Sequence, residues 1–400
     1  MIPVKYDEDS GSATIINAKK LQSWFHFRPV TVSPIDSFNW IYLPGIDTFE
    51  YALLTASLGY VSISPEKTGY GEASSLVPSD LVRKSLVTGT IPLYTYAKSF
   101  VETSSSGKTK LSNKAQYMGR VTLLRYFLSS LLMSVTNRLS LFRRASGGGY
   151  QAIACADGFK EYGIKPVKVL ASAAPIKTRS WLAMGYLREL KNNNTTLADA
   201  FNVGLVTTAF SSTRPGVPNY KTGQSLLKPE KVDSLLAMYT DLKVPSKILN
   251  KTDYREYIKR TYPDNLDGLY LSDIVTDFYL DALERNDTDP CLNHPNLQSI
   301  GMDKNCEALD VNDLTRVVLE ADYPIDLCHS KSDVLVTIDN IPDRSHLKFE
   351  LDDASHGSSV FLCNSKMFGS NDIKQPTVKS TKNPKSSKSK TKSAKKSKKS

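Results

Sequence analysis

The sequence predicts an α/β fold, a mostly parallel sheet flanked by helices. Three observations point to it. A strand–helix–strand unit spans residues 38–64, a strand–turn–helix–strand succession spans 138–172, and strands return near 323 and 347 after a long helical block. Parallel neighbours need a crossover of a dozen or more residues, and the first two stretches have that length.

Taken in order, residues 38–43 (Phe-Asn-Trp-Ile-Tyr-Leu) are aromatic and β-branched and stop at Pro44-Gly45. Phe49, Leu53, Leu54 and Leu58 then recur at helical spacing, with Gly59 as the stop. Residues 60–64 form the second strand, closed by Pro65. Residues 103–107 read as a loop. A long helix is expected over about 113–135, from the stripe Leu123, Leu124, Phe127, Leu128, Leu131 and Leu132. Residues 138–142 read as a short buried strand, 145–149 as a tight turn, 150–159 as an Ala-rich helix and 167–172 as a strand. Helical stretches such as 232–242 and 269–283 dominate from 178 to about 321, and strands follow at 323–327 and 347–351.

These patterns divide the chain into an N-terminal core half at 1–177, a helical cap insertion at 178–320, a second core part at 321–372 and a tail at 373–400. The 400 residues carry a net charge of +10, but eleven lysines and no acidic residue lie in 374–400. The rest carries 40 basic against 41 acidic side chains. A near-neutral fold argues against specific nucleic-acid binding, which would place its charge on a structured face. The tail contains too little apolar surface to fold, and is expected to stay solvated or to meet an anionic surface or polyanion.

The five cysteines are too few and too scattered to announce a disulfide framework, although Cys291 and Cys306 are close enough in sequence to pair. No CxxC, HExxH or strand-linked GxGxxG occurs, so neither a metal nor a cofactor is expected. Ser106-Gly107-Lys108-Thr109 has the end of a phosphate-loop pattern, but Glu102 stands where its first glycine belongs, so an exposed loop is expected. No apolar leader follows Met1, which as read predicts a cytoplasmic protein; a chain longer at its N-terminus would read as secreted.

A hydroxyl is a poor nucleophile at neutral pH. It needs a base within hydrogen-bond reach and an acid to orient that base. One solution seats a serine on a sharp strand-to-helix turn among small residues, with the helix N-terminus facing the developing oxyanion. Ala145-Ser146-Gly147-Gly148-Gly149-Tyr150-Gln151-Ala152 fits that context. This stretch resembles the nucleophile elbow of the α/β-hydrolases, especially their secretory-lipase-like and esterase-like members. Residues 58–74 are similar to the family's segment around its second strand. Ile325 to Asp333 is similar to its acid strand, and His356-Gly357 to its terminal histidine.

The resemblance implies an α/β-hydrolase fold with Ser146 as nucleophile, Asp333 as acid and His356 as base, in the chain order of that fold. It further implies an oxyanion hole from the amides of Ile46 and Gly147, because Pro44 has no N–H to give. The implied substrate is a small carboxylic ester or a lipid. A serine amidase or peptidase, and a catalytically weak binding protein on the same fold, are the alternatives. Arg144 stands two before Ser146 where the family usually has glycine, which predicts a looser turn or reduced activity. Asp326, Asp339 and Asp343 are rivals for the acid, and His26, His294, His329 and His346 for the base.

Overall fold

The computed structural model describes residues 4–7, 12–15, 20–27, 60–65, 81–119, 146–178, 302–333 and 336–354, with a few positions between and after these. Strands β1 (Val4–Asp7) and β2 (Ser12–Ile15) pair antiparallel by themselves. The six strands β3 (Lys20–Phe27), β4 (Tyr60–Ile63), β5 (Lys110–Gly119), β6 (Lys165–Ser172), β7 (Ile325–Ser330) and β8 (Leu347–Leu351) make one sheet in the order β4-β3-β5-β6-β7-β8. Every pairing in it is parallel. The C-terminal ends of β5, β6, β7 and β8 therefore share one edge, where open parallel sheets place their ligands.

The helices are α1 (Arg83–Ser104), α2 (Ser146–Gly158), α3 (Met302–Asn312) and α4 (Thr315–Leu319). Helix α1 buries Leu86, Val87, Thr90, Tyr94 and Val101, a one-sided helical set, while Pro92 sits on its exposed run. It ends in the turn at Ser105–Gly107, where Ser106 and Gly107 take positive φ and the Gly107 N–H donates to the Glu102 carbonyl. The phosphate-loop-like stretch is thus a helix stop, with Lys108 exposed.

Two expected elements differ. The helix expected over 113–135 begins instead as the strand β5, whose last five residues, Ala115 to Gly119, are all buried. A central parallel strand is covered on both faces and shows a continuous buried run; the leucines further on had suggested a helical period. The partner of β4 is β3, which the sequence did not announce, while 38–43 lies outside the described residues.

Helices α3 and α4 fall inside the expected cap range but pack onto the core. The Tyr150 hydroxyl donates to the Asn312 carbonyl at 2.6 Å, and Thr178 Oγ1 donates to the Leu309 carbonyl at 2.8 Å.

The cysteine expectation is corrected at Cys328 and Cys363, while a disulfide at Cys306 agrees with its expected ability to pair. Cys328 on β7 and Cys363 form a disulfide across 35 residues, and Cys306 is disulfide-bonded too. Neither cysteine of the first pair is exposed, and both belong to an apolar cluster with Tyr60, Met118, Leu170, Leu351 and Met367. Pairings this distant in sequence leave no spacing signal. Disulfides persist in oxidising compartments, so the bond weighs against the cytoplasmic expectation.

Candidate active site

Helix α2 begins at Ser146. Its first turns are packed without side-chain thickness. A β-carbon on Gly119, the last residue of β5, would lie 2.3 Å from both the N and the Cα of Gly149. One on Gly149 would meet Ser172 O and Ala174 Cβ at 3.0 Å, and one on Gly158 would meet Val87 Cγ2 at 2.4 Å. Glycine is thus required where α2 crosses the ends of β5 and β6 and where α1 touches its far end. Tyr150 to Cys155 are all buried behind that turn. Burial pushes the Tyr150 phenol and the Cys155 thiol upward, so Cys155 is an inert core residue.

Gly147 is half-buried in the first turn of α2. The side chain of Ser146 lies outside the described residues, as do Ile46, Arg144, His356 and the strand expected at 138–142.

Asp333 stands three residues past β7, only 2% exposed. Its N–H donates to the Ser330 carbonyl at 3.3 Å, and its Oδ1 accepts the Val336 N–H at 3.0 Å. His329, 1% exposed, brings Nε2 to 3.6 Å from Asp333 Oδ2 and to 2.5 Å from the Val336 carbonyl oxygen. A carbonyl accepts only, so Nε2 carries the proton and donates to it. His329 therefore braces the loop that bears Asp333. An ionised carboxylate accepts at about four positions, so another imidazole is compatible with these contacts.

The rival acids are placed differently. Asp326 lies near the opposite end of β7 and is held by Lys168 at 2.8 Å and Lys348 at 3.3 Å. Asp339 is exposed. Asp343 is exposed and caps a short 3₁₀ turn through Ser345, whose N–H holds its carboxyl below the usual range. Of the rival bases, His346 is half-buried in that turn, and His294 lies outside the described residues. His26 falls on β3, with its side chain undescribed.

The Asp333 loop is stitched to the end of β8. The Lys331 N–H donates to the Leu351 carbonyl at 2.9 Å, and Ser332 Oγ donates to the Asp352 carbonyl at 2.9 Å. Ser330 Oγ, fully buried, accepts the N–H groups of Ser332 at 3.2 Å and Ala354 at 3.1 Å. Ala354 precedes His356 by two residues, and Cys363 follows it by seven. This cross-stitching is the feature that sequence reasoning missed; no pattern in the residues 328–363 foretells it.

Among the described residues, no three His, Cys, Asp or Glu side chains group as a metal site, and no helix is long and apolar enough to cross a membrane. No protein-family model and no curated protein sequence matches the chain. Solved structures do. A Legionella pneumophila protein assigned as a hydrolase aligns at 14% identity and a TM-score of 0.52, over 92% of this chain and 88% of its own. The rice cell wall degrading esterase LipA from Xanthomonas oryzae gives 16% identity and 0.48, over 88% and 78%. Candida antarctica lipase A gives 12% and 0.45, over 87% and 70%. Only the first score is high enough to carry weight.

Proposed function

We propose that this chain, which has the α/β-hydrolase fold, is a serine hydrolase cleaving carboxylic esters, with Ser146, Asp333 and His356 as nucleophile, acid and base. The observation that carries the reading is the buried carboxylate of Asp333, which accepts a backbone N–H on a loop leaving the same sheet edge at which α2 begins with Ser146. Two residues of chain span at most about 7 Å. The Ser330–Ala354 bond ties the chain two residues before His356 to the Asp333 loop, which supports the reading. The assignment of the Legionella neighbour as a hydrolase agrees with this reading.

In the proposed reaction Ser146 Oγ attacks the ester carbonyl while His356 takes its proton. The tetrahedral oxyanion forms against the amides of Gly147 and Ile46, each such donor lowering the barrier by about 3–4 kcal/mol. Its collapse breaks the ester bond, and the proton passes from His356 to the departing alcohol. Water, deprotonated by the same imidazole, then releases the acid. Asp333 holds the imidazole tautomer and stabilises the imidazolium.

Labelling with a fluorophosphonate tests the proposal. The adduct is expected on the peptide containing Ser146 and is expected to vanish in Ser146→Ala. Asp333→Asn is expected to lower kcat on a p-nitrophenyl ester about 10⁴-fold. A folded chain that takes no label at Ser146 would rule the reading out.

A further inference from the structure

We infer that residues 120–144 are an insertion into the nucleophile turn, that the fold does not need them, and that Gly119 is the glycine belonging two positions before Ser146. The inference deepens the hydrolase reading, although its structural half stands without it.

Strand β5 and helix α2 behave as directly consecutive elements. β5 and β6 are neighbours and parallel, and α2 packs across the ends of both, so β5–α2–β6 is a complete crossover unit. The glycine contact puts the Cα atoms of Gly119 and Gly149 no more than about 4 Å apart. Ser146 lies three helical residues before Gly149, which adds about 5 Å. Gly119 and Ser146 are therefore within about 9 Å, a gap that one or two residues would cover. The chain instead places 26 residues between them.

Those residues differ in kind from their surroundings. Residues 120–144 hold five arginines and no Asp, Glu, Gly or Pro, in a chain with 41 acidic side chains, 21 glycines and 20 prolines. Their removal joins Gly119-Ala145-Ser146-Gly147-Gly148 into G-x-S-x-G, the pattern that a strand-to-helix serine turn requires. The same step removes the difficulty of Arg144, because the position facing the helix is already occupied by a glycine that admits no β-carbon. A connection of 26 residues constrains the serine turn less than a single residue would. A misplacement of about 1 Å at a reacting group already costs on the order of 100-fold in rate.

The experiment compares the full chain with a variant lacking 120–144, by thermal melting, fluorophosphonate labelling and p-nitrophenyl ester hydrolysis. The variant is expected to melt cooperatively at or above the full chain's temperature and to hydrolyse the ester about 100-fold faster or more, with the gain lost in Ser146→Ala. A variant that melts well below the full chain or aggregates overturns the inference, and so does an active variant no faster than the full chain. A variant that melts as expected but neither labels nor hydrolyses keeps the insertion and removes the hydrolase reading. Gly119→Val in the full chain supplies an independent check, with a melting temperature lower by about 4 °C expected. An unchanged melting temperature overturns the place given to Gly119.

Discussion

The two halves of the proposed site are held by opposite means. On the serine side, β5 and α2 meet through bare backbone, glycine against glycine, and 26 residues separate Gly119 from Ser146 in the chain. On the acid side the chain is continuous, and the Asp333 loop is held by side chains. Ser330, Ser332, His329 and the Cys328–Cys363 disulfide each join it to another segment. Backbone contact sets a position once, with no slack. Side-chain stitching spreads the same task over several bonds, each of which is individually replaceable.

That contrast is open to attack through the disulfide first. In the chain-entropy picture, cross-linking a loop of 35 residues stabilises the fold by about 4 kcal/mol. Cys328→Ala with Cys363→Ala is expected to lower the unfolding free energy by that amount in urea titrations. Because the closed loop contains both Asp333 and His356, kcat is expected to fall further than KM rises. A double variant with full stability would show that the apolar cluster around Met367 and Leu351 suffices to hold the segment.

Ser330 comes next. Its hydroxyl is the buried acceptor for the Ala354 N–H. Ser330→Ala leaves that donor without an acceptor, a loss of about 1–3 kcal/mol. The stitching idea predicts a lowered kcat with KM little changed, since substrate contacts stay in place. If both kinetic constants were untouched, the bond would be structural and the acid loop would be held elsewhere.

The acid side was also the more legible in the sequence. The strand at 347–351 is found at the expected bounds, and 325–330 overlaps the expected strand because short apolar runs between turn residues mark buried strands well. Asp333 stood out only by resemblance, since burial and the Val336 N–H do not show in a one-dimensional pattern. The serine side was legible only in part. Gly147, Gly148 and Gly149 announced a tight turn; the strand expected before it at 138–142 lies outside the described residues, and β5, against which α2 packs, ends at Gly119. Leucines at 123–132 carried a helical period that masked β5. Helix α1 escaped notice because Pro92 lies inside it and breaks the usual signature. Local propensity names an element; it does not say which distant element it continues.

The smallest expected effect belongs to Asp352, at the exposed rim of the stitched corner. Its carboxylate accepts from Lys331 Nζ at 2.8 Å, and that hydrogen bond, with the attraction of the ammonium charge, holds its pKa below the ordinary value of 3.8. A carboxyl whose pKa is depressed by folding stabilises the folded state above the unfolded value, and the contribution is lost as pH falls through the folded value. Asp352→Asn removes the titrating group. The melting temperature of the variant is therefore expected to lie slightly below that of the parent at neutral pH and to fall less steeply below about pH 4, so that the two curves meet in acid. Ester hydrolysis at neutral pH should stay within about twofold, because the pair is exposed and Ser332 still reaches the Asp352 carbonyl. Identical acid limbs would mean that Lys331 works through its other partner, Glu350, at 2.8 Å. The rim of this corner would then be held from β8 alone, and the charge on Asp352 would be incidental to it.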